Sequence, residues 1–74
     1  MNALQISIQE KRNIMRKVYG GMMSLTDLSR ELRMKPSAAR DWAKDKGIGN
    51  QIGSRVKYET DEVARRIVEG RGMC

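Results

Sequence analysis

The sequence predicts a single, mainly helical domain with one β-hairpin. Three observations support this prediction. Apolar residues recur at helical spacing in four segments, capping residues stand where several of these segments begin, and a Gly-Ser pair separates two short β-favouring runs. The chain has 74 residues. That length suits one domain, and a domain of this size buries only about 60% of the surface that its unfolded chain exposes.

The first predicted helix covers residues 7–19. Ser7 and Glu10 fit the capping-box pattern, in which the serine side chain caps the N3 amide and the glutamate bonds back to the cap amide. Gly20 ends the segment, because glycine is the residue most often found just after a helix. The inner face of this helix is predicted from three apolar residues at helical spacing: Met15, Val18 and Tyr19.

The same helix has a basic face, formed by Lys11, Arg12, Arg16 and Lys17. Three roles are open for this face: contact with flanking phosphate groups, docking of a neighbouring protomer, or ordinary solvation. Binding to a membrane surface is disfavoured, because the apolar face is short and lacks Trp, Phe or a run of leucines.

Residues 24–45 are predicted to form two helices joined by a tight turn. Ser24 and Asp27 make a second capping pattern, at the start of a helix of about eight residues. Lys35 marks the turn, since a residue before proline avoids the helical region, and Pro36 suits the first position of the next helix. The inner stripe of the first of these helices falls at i, i+3 and i+7: Leu25, Leu28 and Leu32.

The helix predicted from Pro36 to Asp45 has two distinct faces at 100° per residue. Its inner face holds Ala39, Trp42 and Ala43, and its outer face holds Ser37, Arg40, Asp41 and Lys44. Trp42 is assigned to the core and not to a base-stacking platform, because single-strand binders usually expose several aromatic side chains. The residues expected to support the motif from the core are Leu28, Leu32, Ala39 and Trp42.

Residues 48–58 are predicted to form the hairpin. Gly53 and Ser54 make its turn, and Ile52, Val56 and Tyr58 supply the β-favouring positions.

The last predicted helix covers residues 60–69. Thr60 is its expected N-cap, and Asp61 and Glu62 complement the helix dipole in the first turn. Residues 70–74 contain two glycines and are expected to end the helix and fray. The inner stripe is predicted to be Val63, Ile67 and Val68.

The composition excludes several classes of function. The chain has no histidine and one cysteine, Cys74, which we expect to be a free and exposed thiol. We therefore predict no enzymatic activity, no cofactor and no metal site. No apolar run approaches the ~20 residues of a membrane span and no secretory signal is present, so we expect a cytoplasmic protein that does not engage a membrane.

Phenylalanine is absent, and methionines are expected to fill an irregular core in its place: Met15, Met22, Met23 and Met34.

Positive charge is concentrated in the middle of the chain. The whole sequence carries a net charge of +6. Seven basic and two acidic residues lie between Arg33 and Lys57, so this segment alone carries +5.

Two short helices followed by a hairpin form a winged helix-turn-helix, whose second helix fits the B-DNA major groove of about 12 Å. The sequence therefore favours a binding module for double-stranded DNA.

Several segments resemble, in the same order, the excisionase-type, MerR-like winged helix-turn-helix family. Residues 25–32 resemble its first helix, residues 34–42 its turn and recognition helix with a tryptophan near the end, and residues 52–58 its wing. Asp61-Glu62-Val63 resembles the start of the helix that follows, so the resemblance covers about residues 24–69.

The sequence departs from the family pattern at three points. Arg33 stands where the turn glycine is usual, Asp41 occupies a position that is often basic, and an extra helix precedes the motif. Members of the family include phage and mobile-element excisionases, which bend attachment-site DNA and direct a partner integrase without catalysis, and small phage regulators. The resemblance implies a bacterial, nucleoid-associated protein with an integrase or recombinase as its partner and with cooperative self-association on DNA as a further option.

The residues expected to meet DNA lie on the second helix of the motif and on the hairpin: Lys35, Ser37, Arg40, Asp41, Lys44, Ser54, Arg55 and Lys57. Arg40 and Lys44 are placed for base edges, since arginine binds guanine bidentately. Lys35 and Ser37 lie at the helix start, where backbone amides favour phosphate. Ser37 could instead be only a cap.

Asp41 could accept a hydrogen bond from cytosine N4 or could orient Arg40 or Lys44. Orientation is favoured, because phosphate groups repel a carboxylate. Arg55 and Lys57 are candidates for phosphate or minor-groove contact. For Arg40 and Lys44 the alternative is a solvated face, and for Arg55 and Lys57 it is an ordinary exposed strand position.

We expect a chain of 74 residues, with no room for an effector or catalytic domain, to act by occupying and bending DNA or by touching another bound protein. The favoured function is that of a recombination directionality factor. The alternatives are a small transcriptional regulator on the same fold and a protein-interaction adaptor that does not bind DNA.

Overall fold

The computed structural model describes residues 2–72, and this part of the chain forms four helices and a small three-stranded antiparallel sheet. The predicted fold class is confirmed: the protein is mainly helical, with an N-terminal helix before a helix-turn-helix and a hairpin. In chain order the elements are α1 (Ala3–Tyr19), β1 (Met22–Met23), α2 (Leu25–Leu32), α3 (Pro36–Asp45), β2 (Asn50–Ile52), β3 (Arg55–Glu59) and α4 (Thr60–Gly72).

Helix α1 begins four residues before the predicted start. The backbone N–H of Gln5 donates to Asn2 Oδ1 at 2.8 Å, and the N–H of Asn2 donates to Gln5 Oε1 at 3.2 Å. Asn2 and Gln5 have the spacing of a capping box, so the same pattern exists upstream of Ser7 and Glu10. The prediction of a cap at Ser7 was wrong because nothing between Asn2 and Ser7 interrupts a helix.

The turn between α2 and α3 forms around a left-handed arginine. The predicted capping box of Ser24 and Asp27 is confirmed at the start of α2. At its end Arg33 has φ 55° and ψ 43°, and its N–H donates to the Arg30 carbonyl. The N–H of Met34 reaches back to the Ser29 carbonyl at 3.0 Å. These two bonds define a Schellman motif with arginine at the position that glycine usually holds.

The sheet has the strand order β1-β3-β2. The predicted hairpin is confirmed as β2 and β3, with Ile52 opposite Arg55 across the Gly53-Ser54 turn. Gly53 has φ 62°, a conformation that two-residue hairpin turns require. Strand β1 was not predicted. Its two residues pair with the far edge of β3, Met23 opposite Tyr58, and a two-residue strand is too short to show an alternating pattern.

The core lies between the helices and the buried face of β3. It contains Met15, Met23, Leu28, Ala39, Ala43, Ile48, Tyr58, Val63 and Ala64, with Tyr19, Leu25, Leu32, Trp42 and Ile67 packed at its margin. The predicted core support from Leu28, Leu32, Ala39 and Trp42 is therefore present.

Four apolar residues assigned to the interior lie outside the core: Val18, Met22, Met34 and Val68. Met22 and Val68 are half-buried. Met34 is 40% exposed because it lies beyond the left-handed end of α2. On α1, Val18 and Tyr19 lie on opposite sides of Met15. Tyr19 packs against the core, so Val18 points away from it and is 66% exposed.

Helix α4 begins at Thr60, which has a different role from the predicted N-cap. Its side chain is fully buried, its hydroxyl donates to the Gly20 carbonyl at 2.7 Å, and its N–H donates to the Gly21 carbonyl at 3.1 Å. Thr60 thereby attaches α4 to the end of α1. The predicted end at residue 69 was wrong, since the helix continues to Gly72. Glycine permits a helix terminus without enforcing one. Cys74 and the rest of the expected frayed tail beyond Gly72 lie outside the described residues.

The basic face of α1 is largely used within the fold. Lys11 Nζ lies 3.0 Å from Glu31 Oε2 on α2, and the Tyr19 hydroxyl donates to Glu31 Oε1 at 3.0 Å. Burial and this hydrogen bond raise the pKa of Tyr19. Arg16 forms a two-bond ion pair with Asp61 on α4, and this pairing lowers the pKa of the Asp61 carboxyl.

Among the helices described, none is both long enough and apolar enough to cross a membrane.

Candidate nucleic-acid interface

Helix α3 presents a polar face because two alanines fix its orientation. Ala39 and Ala43 are fully buried, and Pro36 starts the helix at its first position. A buried alanine leaves little distance between the α3 backbone and the core, so the opposite side of the helix stands clear of the protein. The exposed residues on that side are Ser37, Arg40, Asp41 and Lys44.

The hairpin has two chemically different faces. Cross-strand partners share a face, so Arg55 lies beside Ile52, and Lys57 lies beside Asn50. The other face carries Gln51 opposite Val56, and Tyr58 follows on the same side of β3. Ser54 occupies the exposed turn between the strands.

Two adjoining clefts separate α3 from the hairpin. The first has a volume of about 450 Å³ and brings Arg40 together with residues 24–26 at the start of α2 and residues 54–58 of the hairpin. The second, about 340 Å³, brings Arg40 and Lys44 against Gln51 and the apolar face of β3. Arg40, Val56 and Tyr58 line both clefts. The hairpin and the exposed face of α3 thus form one continuous concave surface, which we call the α3–hairpin surface.

Five of the eight predicted contact residues line these clefts: Arg40, Lys44, Ser54, Arg55 and Lys57. The other three line neither. Lys35 and Ser37 lie exposed near the start of α3, and Asp41 lies one residue past Arg40 on the exposed side.

The cations of the α3–hairpin surface are not neutralised by the protein. Across the part of the chain that the structure describes, Arg40, Lys44, Arg55 and Lys57 form no ion pair. By contrast, basic residues on α1 and α4 are paired with acidic groups: Lys11, Arg16, Arg65 and Arg66. Positive charge that is unpaired and concentrated along a concave surface attracts an anionic partner.

Two smaller expectations about α3 do not match the geometry. Asp41 forms no ion pair with Arg40 or Lys44 within the described residues, so the orienting contact is not made in this structure. The N-cap of α3 is Lys35, and no side chain caps the helix. Ser37 is therefore not a capping residue, because the helix starts one residue before it, at Pro36.

Trp42 is engaged on one face by Lys46. The Lys46 Nζ lies 5.4 Å from the centroid of the Trp42 ring, within the range of a cation–π contact. The rest of the half-buried ring packs against the core. This placement matches the assignment of Trp42 to the core.

The clefts also contain residues that the sequence did not single out. Gly49 has φ 143°, and a Cβ there would approach Val56 Cγ1 to 3.3 Å. Because L residues rarely adopt this φ, the backbone just before β2 favours glycine. The capped start of α2 at Ser24 contributes to the first cleft. The capping box was a visible signal for that helix end, but its position beside the hairpin depends on tertiary packing.

Within residues 2–70 no three His, Cys, Asp or Glu side chains are grouped so as to hold a metal ion. Comparison of the chain with protein-family models, with curated proteins and with solved structures finds no match.

Proposed function

We propose that the protein binds double-stranded DNA in a sequence-specific manner through the α3–hairpin surface. The observation that carries this proposal is the convergence of Arg40, Lys44, Arg55 and Lys57 around two adjoining clefts, with no acidic partner among the residues that the structure describes. A DNA duplex fits the α3–hairpin surface better than a small ligand does. The clefts are open, and their four cations are spread along the surface instead of pointing at one spot.

In the proposed complex, α3 enters the major groove, which is about 12 Å wide and accepts one helix. Arg40 and Lys44 lie one turn apart on the exposed side of α3 and meet base edges or the adjoining phosphates. The hairpin reaches the neighbouring backbone or minor groove with Arg55 and Lys57, and the start of α2 directs backbone amides at phosphate.

The first test is the salt dependence of binding. Each phosphate that a lysine or arginine neutralises contributes about −0.9 to the slope of log affinity against log salt concentration. Binding of a duplex library should therefore weaken steeply with salt, and Lys57→Ala should weaken it evenly across sequences and make the slope shallower by about 0.9. Lys17→Ala, at an exposed lysine of α1 that forms no ion pair within the described residues, should leave both values unchanged. An affinity that does not respond to salt would overturn the proposal and favour the adaptor function.

The second test addresses base recognition. Arg40→Ala should relax the base preference in a selection from random duplexes, since a good arginine–guanine pair contributes about 1–3 kcal/mol of discrimination. An unchanged selected sequence would place the readout elsewhere.

Within DNA binding, the function we favour is that of an excisionase, a recombination directionality factor that bends attachment-site DNA and directs a partner integrase. Support comes from the resemblance of residues 24–69 to the excisionase-type family and from the size of the described domain. The longest extent of this domain is 39 Å, which is close to one turn of B-DNA, about 34–36 Å. A footprint this short favours several copies acting together or a larger bound partner.

Excision by the integrase should fall when the gene is deleted, and the protein should bend DNA that contains the attachment site. Normal excision in the deletion strain would rule out this role. A binding site overlapping a promoter, with no attachment site near the gene, would instead favour the small transcriptional regulator.

A further inference from the structure

The tip of the hairpin exposes an apolar side chain that the fold does not use. Ile52 is 53% exposed and lies directly before the two-residue Gly53-Ser54 turn. It belongs neither to the core nor to the partly buried residues packed against the core. The two other residues of β2, Asn50 and Gln51, are exposed and polar.

The immediate neighbour of Ile52 is a cation. Arg55 is its cross-strand partner, so the isoleucine and the guanidinium project from the same face of the hairpin at its tip. Arg55 is exposed and has no ion-pair partner in the described chain. The hairpin tip therefore combines an exposed branched apolar group with an unpaired positive charge.

This combination fits the DNA minor groove. The groove is about 6 Å wide, too narrow for a two-stranded ribbon, but it admits single side chains from the end of one. Arginine is drawn to the negative potential of a narrow minor groove. Isoleucine is among the apolar residues that enter between base steps, where they partly unstack the bases and kink the duplex by about 20–90°.

We propose that Ile52 acts as an apolar wedge in the minor groove and kinks the bound DNA, with Arg55 anchoring the hairpin tip beside it. This inference rests on the proposed DNA binding and assigns the bending to one side chain. The wedge is a separate element from Arg40 and Lys44, which lie on α3 and contact the major groove.

The test measures binding and bending separately on a duplex selected by the wild-type protein from random sequences. The bend angle is taken from energy transfer between dyes at the two ends, and base unstacking from 2-aminopurine fluorescence at each step. Ile52→Thr keeps a β-branched residue in the strand and removes the apolar tip. It should lower the bend angle by at least half and abolish the fluorescence increase, with a loss of affinity smaller than about tenfold. Ile52→Met should retain most of the bend.

The matched control is Ile14→Thr on α1, where the isoleucine is 59% exposed and lines neither cleft. It should bend DNA like the wild-type protein, and thermal unfolding of both threonine variants shows that the fold is retained. Full bending by Ile52→Thr, or a wild-type complex that is straight, would overturn the wedge while leaving DNA binding intact. A wild-type protein that binds no duplex would overturn the proposed function itself.

Discussion

Arg33 is the only non-glycine residue between positions 2 and 72 that has a left-handed backbone. A side chain in this conformation costs about 1–2 kcal/mol, and glycine avoids most of that cost. We expect Arg33→Gly to raise the free energy of unfolding by about 0.5–1 kcal/mol, as measured by urea denaturation. Arg33→Ala removes the same charge without relieving the strain and should give no such gain. Equal stabilities of the two variants would show that the backbone conformation is not the cause.

Individual side chains were predicted best where local pattern decides their position. Ala39 and Ala43 are buried and Arg40 and Lys44 are exposed, as helical periodicity alone indicates. Met34 was wrongly assigned to the core because its position depends on the left-handed turn at Arg33. The sequence does not indicate this turn, since arginine stands where glycine is usual. The buried role of Thr60 was also hidden, because its hydrogen-bond acceptor lies 40 residues away.

Helices α1 and α4 are joined by an ion pair whose strength depends on pH. Hydrogen bonding by Arg16 lowers the pKa of Asp61 in the folded protein, relative to about 3.9 in an unfolded chain. A lowered folded pKa stabilises the protein above the unfolded value, and this contribution is lost as the pH falls through the folded pKa. We therefore expect Asp61→Asn to reduce the free energy of unfolding at pH 7, and the difference from wild type to shrink as the pH falls below about 3.9.

Urea denaturation at pH 7 and pH 3 measures this effect. Glu59→Gln is the control, since Glu59 is exposed and forms no ion pair in the described part of the chain. It should leave stability at pH 7 nearly unchanged. A difference between Asp61→Asn and wild type that persists undiminished at pH 3 would show that the carboxylate charge contributes nothing.

The contact between the end of α1 and the start of α4 depends on one hydroxyl. Thr60→Val keeps the shape of the buried side chain and removes the donor to the Gly20 carbonyl. We expect it to lower the free energy of unfolding by about 1 kcal/mol, whereas Thr60→Ser, which keeps the hydroxyl, should lose less. Chemical denaturation compares the two, and a serine variant that is the less stable would indicate that the methyl group matters more than the hydrogen bond.

Elements with local start and stop signals were predicted from sequence, and the others were not. The starts of α2 and α3 and the hairpin turn each follow from one to four residues: a capping box, a proline and a Gly-Ser pair. Strand β1 exists only because Met22 and Met23 meet the edge of β3. The start of α1 was misjudged because two capping boxes compete and the upstream one forms.

For the candidate interface, the sequence supplied most of the residues but not their arrangement. Periodicity and charge identified Arg40, Lys44, Arg55 and Lys57. Only the tertiary structure places the hairpin against α3 so that Arg40 lies in two clefts. The same structure shows how the basic residues of α1 differ from these: Lys11 and Arg16 form ion pairs within the fold, whereas the cations of the α3–hairpin surface form none with the described residues.

The placement of charge over the whole molecule, and not its total, should therefore determine DNA affinity. The double variant Ser7→Lys/Lys44→Gln keeps the net charge of +6 and moves one charge from α3 to an exposed position on α1. We expect it to bind its selected duplex more weakly than wild type, with a salt slope shallower by about 0.9. Ser7→Lys alone raises the net charge by one but adds it to a helix that lines neither cleft, and its affinity should equal that of wild type. Fluorescence anisotropy over a range of salt concentrations measures all three proteins. If the double variant binds as tightly as wild type, long-range attraction by the net charge is sufficient, and Lys44 does not contact phosphate.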